Sequence, residues 1–89
     1  MVARRFYVRG RVQGVGFRWF VVGAAQRLNL SGWTRNLPDG RVEVLAQGEP
    51  PALLSLAEEL RAGPRAAGVE AVDSNDETPD LKLRDFSVR

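Results

Sequence analysis

The hydrophobic pattern of this 89-residue chain changes its period within one short segment, Gly10–Arg18. Before it, apolar and polar side chains alternate from Arg4 to Val12, which is the period-two pattern of a β-strand. After it, apolar residues recur at every third or fourth position from Phe17 to Leu28, the pattern of an amphipathic helix. The segment is therefore predicted to be a tight turn that joins a strand to a helix.

This turn combines three features that favour anion binding. Gly14 and Gly16 allow positive φ, so the backbone can curl and direct successive N–H groups towards one point. The helix that follows adds its unpaired N-terminal N–H groups and the positive end of its dipole. Arg18, on the first helical turn, carries a planar guanidinium suited to a phosphate or a carboxylate. An ordinary glycine turn beside a solvated arginine is the simpler interpretation, but the coincidence of the three features favours an anion site.

A β-hairpin is predicted next. Gly32–Asn36 and Arg41–Gln47 form the two strands, and Leu37–Gly40 between them has the proline and glycine of a tight turn. Asn36 ends the first of these strands, where asparagine commonly bonds its own backbone.

The second half of the chain is less regular. A helix is predicted from Pro50 to Gly63, because proline is tolerated at a helix start and Gly-Pro ends the pattern. Residues 64–80 show only a short strand-like run, at residues 69–72. A last strand is predicted over residues 81–88, with a phase shift near Asp85 that suggests a bulge.

The element order is therefore β-α-β-β-α-β. It predicts an α+β, ferredoxin-like sandwich, in which two helices cover one face of an antiparallel sheet. Eighty-nine residues suffice for one core, so residues 1–89 are predicted to be a single domain. The starting Met1 and a last strand that ends near Arg89 favour a separate protein.

The amino-acid composition limits the kinds of catalysis and metal binding that the side chains can perform. The chain has no cysteine and no histidine, which excludes a thiolate nucleophile, an imidazole base and the usual ligands of transition metals. No apolar run approaches the ~20 residues needed to span a bilayer, so a cytoplasmic protein without membrane contact is predicted. Residues 1–50 carry a net charge of +5 and residues 51–89 one of −3, and the basic half contains the predicted anion site.

Other chemistry-bearing side chains have weaker support. In a split βαβ fold the strand that ends at Asn36 lies near the loop before the first helix, so its amide is predicted to face the anion site and hold a water. Trp19 and Trp33 are expected to complete the core or its rim. The acidic residues between Asp73 and Asp80 lack metal-ligand spacing and are expected to solubilise a loop, so no metal site is predicted.

Two segments of the chain resemble the signatures of the acylphosphatase family. Gly10–Arg18 matches the pattern Gly-x-Val-Gln-Gly-Val-x-Phe-Arg throughout. Gly32–Asn36, with the glycines at 40 and 48 and Val42, matches the second signature. Only Thr34 departs from it, at a position where a small apolar residue or cysteine is more usual. The similarity extends over essentially the whole chain.

The resemblance implies hydrolysis of acyl phosphates, which are carboxylic–phosphoric mixed anhydrides, to a carboxylate and inorganic phosphate. It implies that Arg18 and Asn36 are catalytic, with Asn36 orienting the attacking water. It also implies that Arg18 and the loop amides bind the substrate phosphate; the loop residues are Val12, Gln13, Gly14, Val15, Gly16 and Phe17. No cofactor, metal or covalent intermediate is implied. Inorganic phosphate is expected as product and inhibitor, and the protein is expected to be a monomer.

Two alternatives remain at this point. The fold class and the arginine-rich first half also suit a nucleic-acid-binding module, although the third strand lacks the aromatic pair that stacks bases in such domains. The other alternative is a non-catalytic or regulatory domain of a larger carbamoyl-transfer enzyme.

Overall fold

The first strand, β1 (Val2–Arg11), leads through the predicted turn into helix α1 (Phe17–Arg27). These elements come from a computed structural model that describes residues 1–89. Phe6 and Val8 are buried on one face of β1, as the alternation predicts. Because α1 buries a stripe of apolar side chains against the sheet, the change of period does mark a change from strand to helix.

The hairpin consists of β2 (Ser31–Asn36) and β3 (Val42–Gly48), paired antiparallel with Asn36 opposite Val42. Its turn is closed by a hydrogen bond of 2.8 Å from the Leu37 N–H to the Arg41 carbonyl. Between α1 and β2, Asn29 has a φ of 57°, so it adopts the left-handed conformation that ends many helices.

Helix α2 (Pro50–Ala62), β4 (Gly68–Glu77) and β5 (Phe86–Val88) complete the chain. The sheet order is β4-β1-β3-β2-β5, and all pairs are antiparallel except β2 with β5. Helix α1 packs on β2, β3 and β5, and α2 packs on β1, β3 and β4. The predicted ferredoxin-like α+β sandwich is confirmed, with a fifth strand that makes the sheet mixed rather than wholly antiparallel.

The end of the chain differs from the prediction. Residues 64–80 contain β4, a ten-residue strand, whereas the first half of the predicted last strand is a turn closed by a hydrogen bond from Leu83 N–H to the Asp80 carbonyl. Only residues 86–88 form a strand there. The sheet irregularity lies at Arg9/Gly10 in the pairing of β1 with β4, not near Asp85.

One hydrophobic core lies between the sheet and the two helices. Its largest fully buried members are Phe6, Phe17, Leu56 and Leu60, each worth about 1.5–3 kcal/mol when removed from water. Neither helix has the length and apolar character needed to cross a membrane. Since β1 is an interior strand of the sheet, the turn that follows it emerges from the middle of this core rather than from an edge.

Candidate active site

The loop of residues 12–18, called the anion loop below, joins β1 to the first turn of α1. Gly14 and Gly16 have φ values of 75° and 77°, in the left-handed region that favours glycine. A Cβ built at either position meets nothing within 4 Å, so glycine is required there by its dihedral angles rather than by lack of space. Gly16 is also the N-cap of α1 and provides no side-chain cap.

The backbone N–H groups of residues 13–19 are unpaired. No backbone hydrogen bond formed outside the regular elements has a donor in this range, and the first helical bond runs from Phe20 N–H to the Gly16 carbonyl. The backbone N–H groups that donate to side chains belong to Arg41, Asp80 and Lys82. Seven consecutive donors at a helix N-terminus are therefore available to an anion, and the series extends one residue, Trp19, beyond the predicted site.

Arg18 is half-buried and has no carboxylate partner in the chain. The other half-buried arginines are all ion-paired: Arg4 with Asp76, Arg5 with Glu43 and Glu77, and Arg41 with Asp39. A partly desolvated guanidinium without a counter-charge favours the binding of an anion.

Asn36 lies at the end of β2, on the helix side of the sheet. Its neighbour Arg35 is exposed on the other side, whereas Thr34, two residues before it, is fully buried. The carboxamide Oδ1 of Asn36 is the one buried side-chain polar atom without a hydrogen-bond partner. An unpaired buried carbonyl oxygen costs about 1–3 kcal/mol of free energy. A hydrogen bond from a bound water or ligand would offset this cost.

The side chain of Gln13 connects the anion loop to the hairpin. Its Nε2 donates to the carbonyl oxygens of Leu37, at 2.8 Å, and Arg41, at 3.0 Å. Because Leu37 follows Asn36 directly, these bonds hold the anion loop beside the end of β2 that carries Asn36. Only the backbone of Gln13 was predicted to bind, because no local pattern reveals side-chain bonds to residues 24 and 28 positions away.

The side chains of most other residues considered in the sequence pack in the core or bond to the backbone. The side chains of Val12 and Phe17 are buried in the core, so only their backbone groups are available to a ligand. Thr34, the departure from the family signature, donates its hydroxyl to the Glu43 carbonyl at 3.0 Å and does not alter the end of β2. Trp33 is buried as expected, whereas Trp19 is 70% exposed, against the expectation that it would complete the core.

The open face of the sheet carries arginines stacked on its aromatic rings. Arg41 lies over Tyr7 with 4.7 Å between its Cζ and the ring centroid, and three arginines surround Trp33. These rings are thus already covered by side chains of the same chain. Nothing in this arrangement favours base stacking, which the nucleic-acid alternative requires.

The buried carboxylate of Glu43 also belongs to the open face and not to the anion loop. It accepts hydrogen bonds from Arg5, at 2.6 Å, and from Arg35, at 2.5 Å. Burial raises the pKa of Glu43, but the hydrogen bonds from Arg35 and Arg5 outweigh burial and leave its pKa below the usual value. Glu43 therefore stays ionised and fully committed to arginines, which makes it a structural group rather than a base.

The acidic residues between Asp73 and Asp80, which were expected to lie in a loop, lie mainly on β4. Asp73, Asp76 and Glu77 belong to this strand, where Asp76 pairs with Arg4 and Glu77 with Arg5. The chain contains no cluster of carboxylates with metal-binding geometry.

No surface cavity is lined by residues of the anion loop, although one of about 280 Å³ lies between the end of β1 and the hairpin turn, beside Gly10 and Arg41. The largest, about 430 Å³, is at the opposite end of β1 and is lined by Met1, Pro50 and Glu77 among others. A phosphoryl group is small and can be held by a ring of surface amides, so it does not require an enclosed cavity.

Comparisons with known proteins point to one family. The acylphosphatase family model matches residues 4–88. A curated acylphosphatase of Koribacter versatilis is 54% identical over 85 residues, which are 96% of this chain and 77% of that protein. The crystal structure of acylphosphatase from Bacillus subtilis has a TM-score of 0.95 at 39% identity, covering 100% of this chain and 99% of that one. Full-length HypF, in its phosphate- and nucleotide-bound form, contains a similar fold in 12% of its chain, with a TM-score of 0.87 at 25% identity.

Proposed function

Since this chain belongs to the acylphosphatase family and hydrolyses acyl phosphates, we propose that the anion loop and Arg18 hold the phosphoryl group while Asn36 positions the attacking water. The observation that carries this proposal is the unbroken series of unpaired N–H groups at residues 13–19. These donors face the charge of the equatorial phosphoryl oxygens, and Arg18 adds a full positive charge beside them.

The water is held on the other side of the site. It donates one hydrogen bond to Oδ1 of Asn36, which has no partner in the protein, and keeps a lone pair for phosphorus. Its oxygen bonds to phosphorus as the bond from phosphorus to the acyl oxygen breaks, and the carboxylate leaves with the electron pair. The proton of the water passes to a phosphoryl oxygen, which yields inorganic phosphate. A carboxylate is a good leaving group, so the reaction needs neither a strong general acid nor a side-chain base.

Three further properties are part of the proposal. Inorganic phosphate competes with substrate, because it presents the same oxygens to the same amides. Residues 1–89 act as one domain, since one core unites both helices and the sheet, and this domain acts as a monomer. A cytoplasmic location is consistent with the absence of cysteine, because no part of the fold depends on an oxidising compartment.

Steady-state hydrolysis of acetyl phosphate, with inorganic phosphate as inhibitor, tests the division of roles. We expect Arg18→Ala to lower turnover by at least about 10²-fold and to weaken inhibition by phosphate. Asn36→Ala should remove most turnover while phosphate inhibits almost normally. Arg61→Ala, at an exposed position of α2, is the control and should behave as the wild type. An Asn36→Ala variant that lost phosphate inhibition but kept turnover would contradict the proposal.

A further inference from the structure

The side-chain N–H groups of Gln13 join two parts of the candidate active site. Gln13 is half-buried, and its two N–H groups are directed at two carbonyl oxygens, those of Leu37 and Arg41. Neither bond joins two residues of the anion loop, because both acceptors belong to the hairpin.

The acceptors lie at the two ends of a closed turn. The Arg41 carbonyl also accepts from Leu37 N–H at 2.8 Å, and the Leu37 carbonyl accepts from Gly40 N–H at 3.1 Å. The residue before this turn is Asn36, which is fixed opposite Val42 by strand pairing. The unit to which Gln13 bonds therefore includes the backbone of Asn36.

No other hydrogen bond connects residues 12–18 with residues 36–41. We propose that Gln13 is a positioning residue, whose side chain sets the separation between the anion loop and the carboxamide of Asn36. The inference rests on the proposed function, in which phosphoryl group and water are held on these two sides.

Loss of the Gln13 bonds should affect the catalytic rate and the phosphate affinity differently, because phosphoryl group and water are held on different sides of the site. All groups proposed to bind phosphate lie on the anion loop and α1, so phosphate affinity does not depend on the Gln13 bonds. In-line attack does depend on them, because it requires the water at the correct distance and angle from phosphorus. Misplacement of a reacting group by about 1 Å costs on the order of 10²-fold in rate.

Gln13→Met keeps the length of the side chain and removes both donors. We expect kcat for acetyl phosphate to fall by about 10- to 100-fold, with the inhibition constant for inorganic phosphate within about twofold of wild type. Gln26→Met is the matched control, since Gln26 is exposed on α1 and makes no side-chain hydrogen bond, and it should leave both values unchanged.

Gln13→Glu provides a second variant in case Gln13→Met folds poorly. An ionised carboxylate would repel both carbonyl oxygens, whereas its protonated form can donate one hydrogen bond. The kcat of Gln13→Glu relative to wild type should therefore rise as pH falls through the range of glutamate titration. A pH-independent ratio would contradict the inference.

Combination with Asn36→Ala decides whether Gln13 acts through Asn36. If it does, Gln13→Met lowers kcat much less in the Asn36→Ala background than in wild type. Full multiplication of the two effects, or loss of phosphate inhibition in Gln13→Met, would overturn the inference while leaving the proposed function intact. An Asn36→Ala variant with normal turnover would instead overturn the role of Asn36 and this inference with it.

Discussion

Partly buried arginines of this molecule differ in whether they form a salt bridge with a carboxylate. Arg5 and Arg35 form salt bridges with the carboxylate of Glu43, whose side chain is 3% exposed, and so contribute to the fold. Arg18 is also partly buried but is left without a carboxylate. The same residue type thus stabilises the open face of the sheet and, on the first turn of α1, provides charge for a ligand.

Glu43 gives a prediction about acid stability. Its folded pKa lies below its unfolded value, so the unfolded state binds more protons as the solution is acidified. The stabilisation is present above the unfolded pKa and is lost as pH falls through the folded one. We expect the free energy of unfolding of the wild type to fall more steeply between about pH 5 and pH 3 than that of Glu43→Gln, as measured by urea unfolding. Equal slopes for the two proteins would show that Glu43 titrates normally.

At the scale of elements, the pairing of β1 with β4 is irregular just before the anion loop. Partner residues along β4 advance from Ala71 opposite Arg9 to Val69 opposite Gly10, so Glu70 is an extra residue. Gly10 has a φ of 130°, and a Cβ there would overlap the Gly68 carbonyl oxygen and lie 2.8 Å from the Glu70 nitrogen. Only glycine allows this approach, two residues before the anion loop begins.

Two glycine-to-alanine substitutions should therefore have opposite effects. We expect Gly10→Ala to lower the free energy of unfolding by about 3 kcal/mol or more, because both the dihedral angle and the contact are unfavourable. Gly23→Ala, in the exposed middle of α1 with open space around its Cβ, should raise it by about 0.5–1 kcal/mol. Thermal or urea unfolding measures both. A Gly10→Ala protein as stable as wild type would show that the bulge adapts at little cost.

The same bulge explains what the sequence could and could not predict. Both helices, the hairpin and the strand-to-helix turn were predictable because their patterns are local. Only the run at residues 69–72 of β4 was recognised, because the extra residue Glu70 places Val69 and Val72 on the same face, which breaks the alternation. Leu81 and Leu83 imitate a strand but lie in a turn, and the parallel pairing of β5 with β2 depends on distant residues.

For the candidate site, the sequence could predict candidate residues but not the contacts between them. The glycines and Arg18 of the anion loop are recognisable because their conformational and charge requirements are local. The role of the Gln13 side chain and the unpaired oxygen of Asn36 depend on contacts made only in the folded chain.

At the scale of the whole molecule, ion pairing concentrates the uncompensated positive charge of the first half near the anion loop. The arginines of this half that lack a carboxylate partner are Arg9, Arg11 and Arg18, at the end of β1 and the start of α1. The remaining five are paired. The resulting field should attract anionic substrates towards the site.

Ionic strength tests this field. We expect kcat/KM for acetyl phosphate to fall by roughly three- to tenfold between low and high salt, because mobile ions screen exposed charges. A double variant, Arg9→Gln with Arg11→Gln, should show a smaller salt effect, whereas the ion-paired Arg27→Gln should keep most of it. The idea is wrong if kcat/KM of the wild type does not depend on salt.

The amides of residues 13–19 should bind the phosphoryl group. Titration of ¹⁵N-labelled protein with inorganic phosphate measures this directly, because the chemical shift of each backbone amide reports its own hydrogen bond. We predict saturable shifts that are largest at residues 13–19 and persist in Asn36→Ala. Shifts centred elsewhere, such as around Met1 and Glu77 at the largest cavity, or no saturable shift in the anion loop, would contradict the account.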